Sequence, residues 1–548
     1  MKTALFIFTM LFSLCSKAQL SGSVESNAAW YIDDDKIKLE ANEAENRFRS
    51  NNYLRVDYKI KNFTAGVQLE SYQTKALLNY SPKFKGTNLG FYYLNYKNDS
   101  IGLDITAGHF YEQFGSGLVL RTWEDRQLGV ANSIAGGRIK YNPATAVSIT
   151  ALYGKQRNGL GFDFSDGSIL GLNSDIDLSS LLKLKKIMFG AGFSYVNRKI
   201  TETAAGFSAN NYLTSTRANF KWKNFTADFE YAFKSKDALV EFGNVRPEFQ
   251  FDGDAYLLNF GYSIKRFGIN INARRLENFG FYAQRNLAGN VFNEGGINYL
   301  PALTKQFDYS LTNIYVYAAQ PNISFEPDRN KAGEIGGQID IFYNFKKESP
   351  LGGKYGTNIS FNYSQWHGIG GRYVATERKY KADKFILGEK YYRDASIEIR
   401  KKWNLTWSSV FTFQNQFYNA KYVEEASGRV NANTLVIDNI LRLKKSRSIK
   451  LQLQHQWADG LFKNWAAIQA EYNFNTRFSV FAIDLYNYSN DDAAARLHFY
   501  NIGTAYKNGA ARIQLSYGRQ RGGLVCVGGI CRFVPESAGL NMSLNYSF

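Results

Sequence analysis

The final stretch, Asn541-Met542-Ser543-Leu544-Asn545-Tyr546-Ser547-Phe548, decides the fold. Met542, Leu544, Tyr546 and Phe548 fall on one face, and Asn541, Ser543, Asn545 and Ser547 on the other. A strand sends successive side chains to opposite faces, so this period of two is an amphipathic strand ending on an aromatic residue. The same alternation recurs upstream. Phe225, Ala227, Phe229, Tyr231 and Phe233 alternate with Thr226, Asp228, Glu230 and Ala232; Ile449, Leu451, Leu453, His455 and Trp457 alternate with Lys450, Gln452, Gln454 and Gln456. The polar faces carry charges, among them Asp228, Glu230, Arg274, Glu398, Arg400 and Lys450. One face therefore suits lipid and the other water, the pattern of a transmembrane β-barrel. Segments of about 10 to 12 residues are long enough to cross a bilayer when tilted.

The connections alternate too. One set is short and basic, as in Lys59-Ile60-Lys61-Asn62, Lys97-Asn98-Asp99-Ser100, Lys221-Trp222-Lys223-Asn224 and Lys507-Asn508-Gly509. The other set is longer and irregular, around 32–49, 74–87, 111–132, 235–252, 277–330, 365–390 and 520–536. Bacterial outer-membrane barrels have short periplasmic turns and long extracellular loops, so the basic turns are expected in the periplasm. Counting gives about 23 clear strands, and an additional crossing near 167–178 makes about 24, within 22 to 26, the even number such barrels use. The predicted fold is all-β: a transmembrane antiparallel up-and-down barrel over residues 19–548, with 277–330 its longest extracellular loop. Its diameter would be roughly 45–50 Å, too wide for side chains alone to fill.

Residues 1–18 read as a cleaved signal peptide. Lys2 precedes the apolar run from Ala4 to Phe12, and Ser16-Lys17-Ala18 supplies small residues before a cut at Ala18/Gln19. Export places the barrel in the outer membrane of a Gram-negative bacterium. Cys526 and Cys531, in Cys-Val-Gly-Gly-Ile-Cys, then meet an oxidising compartment and are expected to form a local disulfide. The net charge is +18, but Lys and Arg are scattered over the whole length. Nucleic-acid binding, which needs a clustered basic face, is not expected.

The densest run of chemically capable residues is His109 to Arg126. Ser116 and His109 could be cast as nucleophile and base, but Gly115-Ser116-Gly117 lacks the strand-elbow-helix setting, and register puts His109 on the lipid face. The reading preferred here is a loop folded into or over the lumen, with Glu112, Arg121, Glu124, Asp125 and Arg126 forming a polar cluster of internal charge pairs. His367, His455 and His498 have no metal-ligand spacing, and Asp33-Asp34-Asp35 lacks the remainder of a calcium loop. No cofactor or metal is expected. Trp222, Trp403, Tyr92, Tyr93, Tyr391 and Tyr392 near strand ends suit interfacial aromatic girdles, with a sugar platform as the sharper alternative.

The runs GHFYEQFGSGLVLRTWEDRQLGVANSIAGGRIKY and YGRQRGGLVCVGGICRFVPE resemble an uncharacterised family of Bacteroidota outer-membrane β-barrels, known as a domain of unknown function. That resemblance spans the mature chain. It implies a Bacteroidota outer membrane and supplies no catalytic residue. The functional expectation is a non-enzymatic barrel, an accessory or structural subunit of a secretion or assembly machine; the alternatives are a passive porin for small solutes and, more remotely, a hydrolase. Expected partners are outer-membrane lipids and lipopolysaccharide, the barrel assembly machinery, for which Tyr546 and Phe548 would be the terminal signal, and further protein subunits.

Overall fold

The computed structural model describes residues 19–39, 47–78, 82–201, 208–241, 244–285, 287, 295–322, 332–377, 379–444, 446–460 and 462–548. The expected signal peptide, 1–18, lies outside them. Twenty-four strands form one antiparallel sheet in which each pairs with the next along the chain. The ring closes where the first strand, Gln19–Tyr31, pairs antiparallel with the last, Ser537–Ser547, with Val24 opposite Tyr546 and Ser26 opposite Leu544. An up-and-down ring can close antiparallel only with an even number of strands. The crossing expected near 167–178 supplies the required strand: it runs Phe164–Asp177 and pairs on both sides. No described helix is long and apolar enough to cross a membrane; the crossing is made by strands. Phe63–Gln73 has 11 residues and Gln19–Tyr31 has 13. Eleven residues tilted near 40° rise roughly 28 Å, enough for the apolar core of a membrane.

The outer face carries the apolar residues of the alternation. Leu94, Ile139, Phe193, Phe229, Leu258, Leu453 and Ile468 are all exposed, and together they make a lipid-facing belt. The lumen faces of the wall strands carry Asp57, Arg138, Arg217, Glu230 and Gln454. At the end where the short turns lie, Trp222 stacks on Phe225 and Trp403 on Trp407, with ring centroids 6.2 and 5.4 Å apart. These four rings are exposed and form part of the expected girdle there. Tyr546 and Phe548 stack on the outer face beside the closing seam, 5.9 Å apart, and Phe548 exchanges backbone hydrogen bonds with Gly22.

Several sequence expectations are corrected. The stretches 235–252 and 365–390 are not irregular loops. Strands Phe225–Glu241 and Asn244–Ser263 pair nearly to their tip, and Thr357–Val374 pairs with Lys379–Lys402 through a series of bulges. Backbone pairing simply continues past the length the membrane demands. Conversely, two connections at the short-turn end are long: 178–186 contains a helical turn, Leu178–Leu181, and 345–356 folds on itself through Gly353 and Ser349. Tyr391 and Tyr392 are not girdle residues. Both are almost fully buried, and they pack respectively against Tyr422 and Tyr317 inside the barrel. Tyr93 also points inward and donates to Asp57 at 2.9 Å.

The two ends of the barrel give a test of orientation. Asp99, in a short turn, and Asp491, in a connection at the opposite end, have equally exposed side chains, 84% each. With the short turns in the periplasm, Asp491→Cys reacts with a membrane-impermeant thiol label on intact cells and Asp99→Cys does not. The reverse pattern would invert the topology.

Candidate functional site

A barrel of this width leaves a space that wall side chains do not reach across, and three connections from one end fill it. The first, 111–133, carries two short ribbons, Gln113–Phe114 with Leu120–Arg121 and Glu124–Asp125 with Val130–Ala131. The second is 278–333. The third, 521–536, is a hairpin of Gly523–Val527 and Ile530–Val534, closed by the Cys526–Cys531 disulfide. The long 277–330 stretch is therefore not an outward loop in its described part. Phe279, Phe281, Ile297, Leu311, Tyr315 and Tyr317 are all buried within the barrel.

The three segments hold one another. The backbone N–H of Arg121 donates to Ile297 O at 2.9 Å, and that of Tyr299 to Gly117 O at 3.0 Å. Ala302 N donates to Gly529 O at 2.7 Å, and the Tyr299 hydroxyl donates to Gly528 O at 2.9 Å. Leu128, Val130 and Ile530 form a small apolar cluster with Trp123, Tyr299 and Val527. Arg121 has its guanidinium 3.8 Å from the centre of the Tyr299 ring, a cation–π contact inside the plug.

Beneath them the wall offers an apolar belt. Ile134, Leu152, Ile169, Val196, Leu213 and on to Leu276 are buried inward-facing residues of consecutive strands, and Phe114, Leu118, Phe279 and Phe281 pack against them. Each such side chain removed from water contributes about 1.5–3 kcal/mol. The Gly171 position shows how close the fit is: a Cβ there would stand 3.0 Å from the Phe114 ring and 2.9 Å from Leu152.

Charges complete the anchorage. Glu70 and Arg157, 87 positions apart, form a two-point ion pair at 2.6 and 3.0 Å, and both side chains have no exposure. Tyr72 and Gln68 donate to the same carboxylate at 2.7 and 2.8 Å. Gln68 in turn accepts from Arg126 of the first segment at 3.1 Å. On the far side Asp237 accepts from Arg198 of the wall, 2.9 Å, and from Arg285 of the second segment, 2.7 Å. Glu334 accepts from Arg274, the Tyr317 hydroxyl and Gln320 N at 2.6, 2.6 and 2.7 Å. These centres lay outside the sequence reading. Period two marks each residue as lumen-facing but does not say which acid meets which base across strands.

The cluster named from sequence is distributed rather than gathered. Glu112 pairs with Arg138 at 3.3 Å and Lys140 at 2.8 Å on the wall. Arg126 reaches Glu25 at 2.5 Å as well as Glu124 at 3.2 Å, and Asp125 accepts from Leu128 N at 2.9 Å. Arg121 stacks on Tyr299. The pairs therefore run mainly from segment to wall. Asp34 of the Asp33–Asp35 run accepts from Nε and Nη2 of Arg519, at 2.7 and 2.9 Å. His109 is buried against Phe91, Tyr92 and Phe164, with Ser133 Oγ at 3.0 Å. Ser116 is inside the lumen, its backbone N–H donating to Glu230 at 3.1 Å. The two members of the hydrolase reading are not hydrogen-bonded to each other: His109 Nδ1 meets Ser133, and neither His109 Nε2 nor Ser116 Oγ has a side-chain partner. In the second segment Tyr309 sits near Glu398 and Asp438; burial, with those two carboxylates, pushes its hydroxyl up to about 12, so it stays neutral.

Fold and site together define a transmembrane β-barrel whose lumen is occupied by its own loops. The chain belongs to the family of unknown function DUF6029, whose model matches residues 1–548. No curated protein matches it. Solved structures of similar shape include the siderophore receptor PirA from Pseudomonas aeruginosa, at 8% identity over 97% of this chain and 80% of that one, TM-score 0.42. The P pilus usher (PapC) translocation pore aligns at 9% identity over 96% and 99%, TM-score 0.38. OccAB3 from Acinetobacter baumannii aligns at 9% identity over 97% and 99%, TM-score 0.37.

Two outcomes test the anchorage. Arg157→Ala leaves Glu70 buried without its base and costs about 3–5 kcal/mol; Arg157→Ala with Glu70→Ala costs less, measured as the thermal midpoint of the barrel in detergent. Cys526→Ser with Cys531→Ser leaves insertion intact, read as heat-modifiable migration, because the disulfide bridges a separation of five residues within one hairpin.

Proposed function

We propose that this protein is a non-enzymatic barrel of the Gram-negative outer membrane that serves as an accessory or structural subunit of a secretion or assembly machine. The observation that carries the reading is the interlocked plug: three segments joined to each other by backbone hydrogen bonds, the first two also paired with wall charges, as in Glu112 with Arg138 and Arg285 with Asp237. A porin works through an open lumen, whereas this one is filled from the loop end to about mid-depth. Leu311 is bonded to Gln454 and Gln456, in the loop-end half of the strand Ser448–Ala458, and Lys305 lies 3.6 Å from Asp340, one residue past the middle of Glu334–Asn344. A hydrolase needs a nucleophile within reach of its base, and the positions of Ser116 and His109 do not provide that. Lipids and lipopolysaccharide would contact the outer belt, and the barrel assembly machinery would engage the seam carrying Tyr546 and Phe548. A protein partner would meet the loop end, where the disulfide hairpin gives a stiff surface.

The test is tagging in native cells, extraction in mild detergent and identification of proteins that co-purify in fixed ratio, with conductance of the isolated barrel in a planar bilayer alongside. Stoichiometric partners and a low conductance are expected. A solitary barrel with steady wide-pore conductance would overturn the reading in favour of the porin.

A further inference from the structure

Below the plug, on one arc of the wall, the lumen holds a shaped cavity. Its larger part, about 860 Å³, lies at the short-turn end of the strands between Ile134 and Ser263, where Ala144, Ala146, Asp177, Met188, Asn219 and Asp228 line it. A smaller recess of about 330 Å³ continues it inward. Asp175, Asn219 and Asp228 line both parts, and Gly115 and Ser116, at the tip of the first plug segment, close the recess on the loop side. Ligand cavities commonly measure roughly 300–1,000 Å³.

The charges around it do not balance. Asp175, Gly192, Arg217 and Glu230 stand opposite one another on four successive strands. Arg217 passes Gly192 to donate to Asp175 and Asn173, each at 2.8 Å. A Cβ on Gly192 would stand 2.5 Å from the Asp175 carboxylate and 2.6 Å from Arg217 Nη2, so the glycine leaves room for that pair. The other arm of Arg217 donates to Ser194 and Ser215 at 2.6 and 3.0 Å. Its charge is thus committed within the wall. Asp228, half-buried, accepts from the neutral Asn219 amide at 2.7 Å. Glu230 is 3% exposed. Its Oε2 accepts from Ser116 N at 3.1 Å, while Oε1 has no hydrogen-bond partner and lies 3.9 Å from Arg217 Nη1. Ser116 Oγ, in the same recess, has none either. Over the whole cavity four carboxylates, Asp175, Asp177, Asp228 and Glu230, face two bases, Arg217 and Lys221. A concave, low-dielectric wall focuses such an excess of one sign. Among the described residues no three acidic, His or Cys side chains are placed to hold a metal ion. Ala144, Ala146 and Met188 add apolar surface beside the acids.

We propose that this cavity binds an organic cation, an ammonium or guanidinium group on a short aliphatic stem, with the charge at Asp228 and Glu230 and the stem against Ala144, Ala146 and Met188. A carboxylate short of donors gains most from a charged one, whose hydrogen bonds are roughly twice as strong as neutral ones. A free diamine and a Lys or Arg side chain carried by a protein at the short-turn end present the same chemistry. A diol of equal length lacks the charge, and a dicarboxylate carries the wrong sign. The inference concerns the cavity alone and goes beyond the accessory role.

Calorimetric titration of the full-length mature barrel in detergent tests it. The probes are cadaverine as the free cation, a blocked alanine-lysine-alanine tripeptide as the side-chain form, and 1,5-pentanediol and glutarate as neutral and anionic counterparts. Two variants alter the site. Asp228→Asn removes one charge and keeps the shape. Gly190→Trp fills the larger part; a Cβ at Gly190 makes only ordinary contacts, 3.4 Å from Ile176 O and 3.8 Å from Asn219 Cβ. Heat-modifiable migration identifies which variants are folded. Wild type is expected to bind a cationic probe and neither counterpart. Asp228→Asn is expected to weaken binding roughly tenfold or more, the effect of losing one hydrogen bond between charged groups, and Gly190→Trp to abolish it. Tighter binding of cadaverine than of the tripeptide names a free solute as the source; binding of the tripeptide at least as tightly names a protein side chain. Failure of both cations to bind, equal affinity for 1,5-pentanediol, or unchanged binding in either folded variant overturns the inference. None of these results bears on co-purifying partners, so the accessory reading stands or falls separately.

Discussion

Within lipid every backbone N–H and C=O must find a partner in the protein, and that constraint organises the whole molecule. It forces closure, made here by the ladder between residues 23–31 and 539–547. With 24 strands the closed ring is wide, and its lumen cannot be spanned by wall side chains. The width then has to be met either by water or by more chain. In this protein more chain enters from the loop end, and the lumen-facing charges that would otherwise be hydrated become partners for it.

Desolvating charges is costly, and the structure compensates by giving each buried carboxylate several donors. Glu70 has Arg157, Tyr72 and Gln68; Glu334 has Arg274, Tyr317 and the Gln320 amide. Such centres contribute little to net stability, but breaking one leaves a buried charge unpaired at a cost of several kcal/mol. Apolar contacts with the belt supply the larger favourable term on that arc. Across the lumen, Leu311, Ile314, Tyr315 and Tyr317 join a second buried apolar cluster with Trp366, Val430, Ala432, Trp465 and Phe499 of the wall. The plug is thus seated on apolar surface on both sides.

The sequence readings that succeeded and failed divide along physical lines. Alternation at period two depends only on the pleat, so the strands, their outward faces and the additional crossing at Phe164–Asp177 were legible. Strand ends were less so, because pairing beyond the membrane leaves no hydropathy signature; hence 235–252 and 365–390 read as loops and proved to be paired hairpins. Tyr391 and Tyr392 resemble girdle residues in composition, and only the entry of Tyr317 and the fold of Tyr422 explain their burial.

The amino-acid sequence by itself determined the all-β class, the antiparallel barrel of about 24 strands, the lipid-facing belt and the pairing of Cys526 with Cys531, since each follows from local pattern or short separation. Only the tertiary structure decided that the described part of the longest connection turns inward, and that Glu70 meets Arg157 and Asp237 meets Arg198 and Arg285. Those outcomes depend on which strands stand opposite one another around a closed ring, and period two labels the face of a residue without naming its neighbour across the lumen.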